Sequence, residues 1–176
     1  MASVLQILSY IFDSEEDRSL RSSIKNLLGF RPNNLALYKL ALTHRSAAVE
    51  TGGGIKLSNE RLEFLGDAIL GAVIANMLFK KYPLEDEGFL TRSRSKIVSR
   101  KNLNTLSIKL GLPDMIDKNV RGDRASSIPG DALEAMIGAV FLDAGYQQTE
   151  NFIVRVLVGM HLDLEEVLKT EDNYKS

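Results

Sequence analysis

The 176-residue chain contains no cysteine, so disulfide bridges and thiolate metal sites are excluded. It has only two histidines, His44 and His161, which lie far apart and show no metal-ligand spacing. No run reads as long enough to span a bilayer. The apolar N-terminal stretch, residues 4–12, lacks a basic leader and a small-residue cleavage site, so it reads as a helix and not as a signal peptide. A soluble, cytoplasmic protein is the expectation. Positive charge is not in excess either: 22 Lys and Arg face 23 Asp and Glu, a net charge of −1, which argues mildly against a nucleic-acid binder. No stretch alternates apolar and polar residues for long, so essentially no sheet is expected. Internal repeats and low-complexity tracts are absent. Gly52-Gly53-Gly54 is not followed by Gly-Lys-Ser/Thr, so it reads as a flexible loop and not as a phosphate cradle.

What is present reads as helix throughout. Helices are expected near residues 4–12, 15–28, 35–43, 58–81, 86–97, 100–109, 129–144 and 149–169. Punctuation falls between them at Gly29 with Pro32-Asn33-Asn34, at the triple glycine, and at Pro83. It recurs at Gly111 with Pro113, from Gly122 to Pro129, and at Gly145. The fold class is all-α, and the length suits one domain with a real core.

Two of these helices carry an unusual charge pattern. In Asn59-Glu60-Arg61-Leu62-Glu63-Phe64-Leu65-Gly66-Asp67-Ala68-Ile69-Leu70, the carboxylates of Glu60, Glu63 and Asp67 recur at i, i+3 and i+7. At about 100° per residue they fall within roughly 60° of one another, opposite Leu62, Leu65, Ile69 and Val73. A helix facing a core normally turns a mixed polar face to water. Like charges at this spacing repel unless a cation lies between them. Asp131 and Glu134 form a second pair at i, i+3, in an almost wholly apolar run that begins at Pro129, a residue suited to a first helical turn. Charges in such surroundings are usually paired or bound to metal. Four or five carboxylates on two apolar helices, with no Lys in either run, describe a site for a hard cation with oxygen ligands.

The run from Asn59 to Leu70 closely resembles the signature motif of the ribonuclease III family. Leu42-Thr43-His44-Arg45-Ser46, Leu90-Thr91-Arg92-Ser93-Arg94, and Gly130-Asp131-Ala132-Leu133-Glu134-Ala135 with Ile137-Gly138-Ala139 are similar to further family segments, in the family's order. The resemblance covers residues 35–168. It implies the family's helical endonuclease domain, working as a homodimer on double-stranded RNA. It also implies Glu63, Asp67, Asp131 and Glu134 as metal ligands, with Asp67 and Glu134 at the catalytic centre, Glu134 most important for holding metal, and Glu63 bridging the helices. The implied ion is Mg²⁺, with Mn²⁺ able to substitute; no organic cofactor and no membrane partner are expected. Glu60 would support these ligands or contact RNA. Phe64 reads as core by default, but the resemblance places its aromatic ring in a pocket of the partner subunit.

The resemblance further implies staggered cuts, leaving two-nucleotide 3′ overhangs with 5′-phosphate and 3′-hydroxyl ends, and a role in processing precursor ribosomal RNA and messenger RNA. Two basic runs, Arg92, Arg94, Lys96, Arg100 and Lys101, then Lys118, Arg121 and Arg124, otherwise read as solvated helix faces, and RNA contacts would come from Arg92, Arg94, Lys96, Arg121 and Arg124 among them. His44 reads as a structural residue in a packed loop more readily than as a general base, and Arg45 and Ser46 as organisers of that loop. Residues 1–34 read as a helical extension packed on the domain, 35–169 as the nuclease domain, and 170–176 as the start of a double-stranded-RNA-binding domain, as in a truncated form of a longer enzyme. Two other classes compete. A catalytically inactive RNA-binding or scaffold relative would have lost a ligand carboxylate, and none is lost. A di-metal oxidase bundle would show Glu-x-x-His pairs, and neither histidine has one.

Overall fold

The structure is a computed structural model that describes residues 15–50, 53–54, 56–116 and 128–155. Six helices make up these residues: α1 (Glu15–Leu28), α2 (Leu35–Leu42), α3 (Glu60–Lys81), α4 (Glu87–Ile97), α5 (Arg100–Lys109) and α6 (Ile128–Ile153). Short 3₁₀ turns occupy Arg45–Ala47 and Leu112–Asp114. Side chains set several of the starts. Asp86 accepts the Phe89 N–H at 2.7 Å, Ser99 Oγ the Asn102 N–H at 3.4 Å, and Asn34 Oδ1 the Ala36 N–H at 3.2 Å, each supplying an acceptor to a first-turn donor that the helix leaves unpaired.

The all-α expectation, with essentially no sheet, holds apart from one short pairing. Val49–Glu50 (β1) and Lys56–Leu57 (β2) pair antiparallel, with Val49 opposite Leu57 and Glu50 opposite Lys56. Two residues are too few for a period of two to register in the sequence, and the triple glycine lies in the connection between the strands. The expectation that no segment could span a bilayer is also revised. α3 is long and apolar enough by length and composition; Leu70, Ile74 and Leu78 on it are buried in the bundle, while Phe64 and Phe79 are exposed. The expected break at Gly145 is present: it sits inside α6 at φ 78°, a left-handed conformation that glycine adopts without steric penalty. Thr149 Oγ1 donates to its carbonyl at 2.8 Å. The expected helix over residues 4–12 and the end of the last helix beyond residue 155 lie outside the described residues.

The core is built on α3 and α6, with α2 and α5 laid against α6. Leu70, Val73, Ile74 and Leu78 of α3 meet Leu133, Met136, Ile137 and Val140 of α6, and Tyr38, Leu42, Leu103, Leu106, Ile24 and Leu28 close the cluster. The site depends on how closely the two central helices approach. A Cβ on Gly66 would stand 1.7 Å from the Glu134 carbonyl oxygen, and one on Gly138 would stand 2.3 Å from that of Leu62. Backbone therefore packs on backbone at this crossing, and only glycine fits on either side. Glu63 and Asp67 flank Gly66 within one turn, and Glu134 lies one turn before Gly138. The contact thus fixes the two acidic sets relative to each other.

At the other end of α6, the Asp143 carboxylate accepts the backbone N–H groups of Asn33 at 2.9 Å and Asn34 at 2.7 Å, and the Tyr38 hydroxyl at 2.8 Å. α1 is tied in through an ion pair between Asp17 and Lys39 and by Arg155, whose guanidinium donates to the carbonyls of Leu27 and Leu28 at its C-terminus.

Candidate metal centre

A cleft of about 600 Å³ opens at the α3–α6 crossing. It is lined by His44, Arg45, Asn59, Glu60, Glu63, Phe64, Asp67, Arg100, Asp131 and Glu134. Every acidic residue singled out from the sequence faces this one space. Within it, Glu63, Asp131 and Glu134 each place a carboxylate oxygen within 4.8 Å of the others. Asp67 lines the same cleft but does not join this tight group, because its shorter, exposed side chain starts one turn further along α3. Glu60 is held toward the rim: Ser58 Oγ donates to its Oε2 at 3.2 Å, and Arg45 lies 3.8 Å from its Oε1.

The electrostatics follow from burial and like charge. Burial pushes the Glu134 carboxyl up to about 7, helped by the charges of Asp67, Glu63 and Asp131, with Arg100 opposing. Glu63 is raised by burial first, then by Asp131 and Glu60, while Arg100 and Arg45 pull it down. No hydrogen-bond donor among the described residues reaches Glu134. An all-oxygen group of half-buried carboxylates that resist joint ionisation fits a hard divalent cation by donor type and by charge.

His44 is 7% exposed and caps the 3₁₀ turn. Its Nδ1 accepts the Ser46 N–H at 3.1 Å and lies 2.8 Å from Ser46 Oγ. Its Nδ1 is thereby engaged within the turn that it caps. Phe64 is 80% exposed beside the cleft and contributes nothing to the core of this chain. Arg92 and Arg94 are exposed on α4 and line no part of the cleft; Arg121 and Arg124 lie outside the described residues.

Two cleft residues escaped the sequence reading. Arg100 reaches Asp131 Oδ1 at 3.2 Å from the first turn of α5. Its place in a basic run was visible, but not its reach across 31 positions of sequence. Asn59 is 1% exposed, and its side-chain nitrogen has no hydrogen-bond partner among the described residues. Its position just before the acidic helix was the one available signal.

The Ribonuclease-III-like family model matches residues 34–160, most of the chain and all of the cleft. The chain belongs to the ribonuclease III family. It is 41% identical over 162 residues to Ribonuclease 3 of Bacteroides thetaiotaomicron, covering 92% of this chain and 52% of that protein. It is 44% identical over 156 residues to Ribonuclease 3 of Zunongwangia profunda, covering 88% and 64%. The chain thus spans about half to two thirds of the length of these curated relatives. Among solved structures, the nuclease domain of ribonuclease III from Campylobacter jejuni matches with a TM-score of 0.69 at 34% identity, over 77% of this chain and 94% of that one. That domain is described as flexible in a region involved in dimer formation. Dicer from Giardia intestinalis shares the ribonuclease III fold at 21% identity and a TM-score of 0.69, over 89% of this chain and 21% of that one.

Proposed function

We propose that this chain is the nuclease domain of an endoribonuclease that hydrolyses phosphodiester bonds of double-stranded RNA, with Mg²⁺ as the working ion and Mn²⁺ able to substitute. The observation that carries this reading is the convergence of Glu63, Asp131 and Glu134, with Asp67 beside them, in one cleft of a ribonuclease III fold. A phosphodiester is anionic and repels an anionic nucleophile. Divalent ions, when bound, would lower the pKa of a water and neutralise charge gathering on the phosphate. The protein's own part is placement. Glu63 and Asp67 from α3 and Asp131 and Glu134 from α6 would hold the ions, and the Gly66–Gly138 contact keeps the two pairs in register. Glu134, whose carboxyl burial and like charge push up to about 7, gives up its proton readily near neutral pH as a cation arrives. His44 anchors the adjoining turn and is not used as a base.

The substrate's two strands are related by local two-fold symmetry, so a C₂ dimer would supply one centre per strand, cutting with a stagger of two nucleotides. One face of α3 suits such a dimer. Phe64, Ala68, Gly71, Ala75 and Phe79 lie along one stripe at helical spacing, with Phe64 80% and Phe79 71% exposed. The stripe is nearly symmetric about Gly71 and Ala72, so an antiparallel copy would bring Phe64 of the partner subunit against the groove lined by Ala75, Phe79 and Leu90. Phe64→Ala is expected to weaken self-association about thirtyfold in analytical ultracentrifugation, as for a truncated interface anchor. Arg92, Arg94 and Lys96, with Arg121 and Arg124, are assigned to RNA phosphates, so cleavage should fade steeply as salt rises.

The test is cleavage of a perfect, end-labelled RNA duplex at low salt, with Mg²⁺ or with EDTA, beside Glu134→Gln. Metal-dependent cleavage with staggered ends, lost in the variant, is expected. Duplex binding without cleavage, even when the chain is joined to a double-stranded-RNA-binding domain, would favour a scaffold protein instead.

A further inference from the structure

Among the described residues, Arg100 is a positive charge of the cleft that touches one of the four carboxylates. It begins α5, directly after the Ser99 cap, and its Nη1 donates to Asp131 Oδ1 at 3.2 Å. The two partners differ in freedom: the Arg100 side chain is 67% exposed, whereas that of Asp131 is 17% exposed. The contact is a single hydrogen bond and not the two-pronged pairing that makes arginine–carboxylate bridges strong. An exposed pair of this kind contributes little, and a long arginine stem can swing its head into water while its methylenes stay on the protein. The Arg100 charge also holds down the carboxyls of Glu63 and Glu134, so its field reaches both central helices. It therefore supplies part of the positive charge that the converging carboxylates need.

A divalent ion in the same cleft changes this balance. It repels the guanidinium, and it competes for an Asp131 oxygen, because Mg²⁺ and Mn²⁺ take carboxylate oxygens directly. We propose that Arg100 is an exchangeable counter-ion of the centre: its guanidinium holds Asp131 in the metal-free protein and is displaced when a divalent ion takes that carboxylate. The inference rests on the metal-centre reading above and adds a residue that works against ion binding.

The experiment titrates the full chain with Mn²⁺ in the absence of RNA at one fixed ionic strength, following free Mn²⁺ by electron paramagnetic resonance. Arg100→Gln and Arg100→Ala are each expected to bind Mn²⁺ about two- to fivefold more tightly than the unsubstituted chain, the range an exposed ion pair can move. Arg100→Lys keeps the charge and should bind as the unsubstituted chain does. In thermal melts, the two neutral variants should unfold at a lower temperature than the unsubstituted chain without metal, and at the same temperature with saturating Mn²⁺. Unchanged or weaker Mn²⁺ binding in both neutral variants would overturn the exchange, since an arginine that merely orients Asp131 would help the ion. Absence of saturable binding in the unsubstituted chain would overturn the metal-centre reading itself, and this inference with it.

Discussion

Helix α6 carries two acidic regions that look alike in sequence and behave in opposite ways. At its C-terminal side, Asp143 is surrounded by donors: two backbone N–H groups and the Tyr38 hydroxyl, all within 2.9 Å. At its N-terminal side, Glu134 meets no donor among the described residues and faces Asp67, Glu63 and Asp131 across the cleft. The first carboxylate has its partners built in and ties α2 to α6. The second is faced mainly by charges of its own sign, an arrangement that favours a cation. A half-buried carboxylate whose donors come from the chain is part of the scaffold; one whose neighbours are other carboxylates is prepared for something from outside the chain.

Substitutions at the two ends should separate these roles. Glu134→Gln is expected to lower the rate of duplex cleavage by on the order of 10³-fold, as loss of a group that positions transition-state charge stabilisation does. Thermal unfolding of the same variant should show no loss of stability. Asp143→Ala should do the reverse: a loss of about 3 kcal/mol in denaturant unfolding, because three donors are stranded, with cleavage per folded molecule close to unchanged. If the Asp143 variant lost cleavage while fully folded, the division between scaffold and site would fail. Gly66→Ala lies between the two cases. A methyl 1.7 Å from the Glu134 carbonyl forces α3 and α6 apart, so about 3 kcal/mol of stability and most of the cleavage should go together.

The smallest effect is on pH dependence. The Glu134 carboxyl sits near 7 instead of its ordinary 4.5. Between those values the folded, metal-free protein binds more protons than the unfolded chain, so its stability falls as pH rises through this window and the penalty is full above it. Solvent screening at a half-exposed site keeps the effect near about 1 kcal/mol, so melting should occur about 2–4 °C lower above the window than below it. Glu134→Gln should flatten that slope.

Much of the scaffold was legible in the sequence, because helices announce themselves locally. The residues 15–28 and 100–109 read as helices have the bounds found for α1 and α5, and 35–43, 58–81 and 86–97 differ from α2, α3 and α4 by a residue or two at a cap, whereas the helices expected at 129–144 and from 149 are one element, α6, kinked at Gly145. Leu62, Ile69 and Val73 could be assigned to the core from period alone, and they are buried. Tertiary facts were not legible. Two acidic helices could be recognised, but nothing local says that they cross at Gly66 and Gly138, which read only as members of their motifs. Asp143 lies one residue beyond the apolar run that drew attention to Asp131 and Glu134, and its donors are more than 100 positions away in sequence. Arg100 looked like one more charge on a basic face, and its contact with Asp131 depends on how α5 packs against α6. The β1–β2 pair was too short to leave a pattern.

The most direct measurement of the central claim is anomalous diffraction from crystals of this chain soaked in Mn²⁺. A peak is expected in the cleft at bonding distance from carboxylate oxygens of Glu63, Asp131 and Glu134. A cleft without a peak, at a Mn²⁺ concentration that saturates binding in solution, would contradict it.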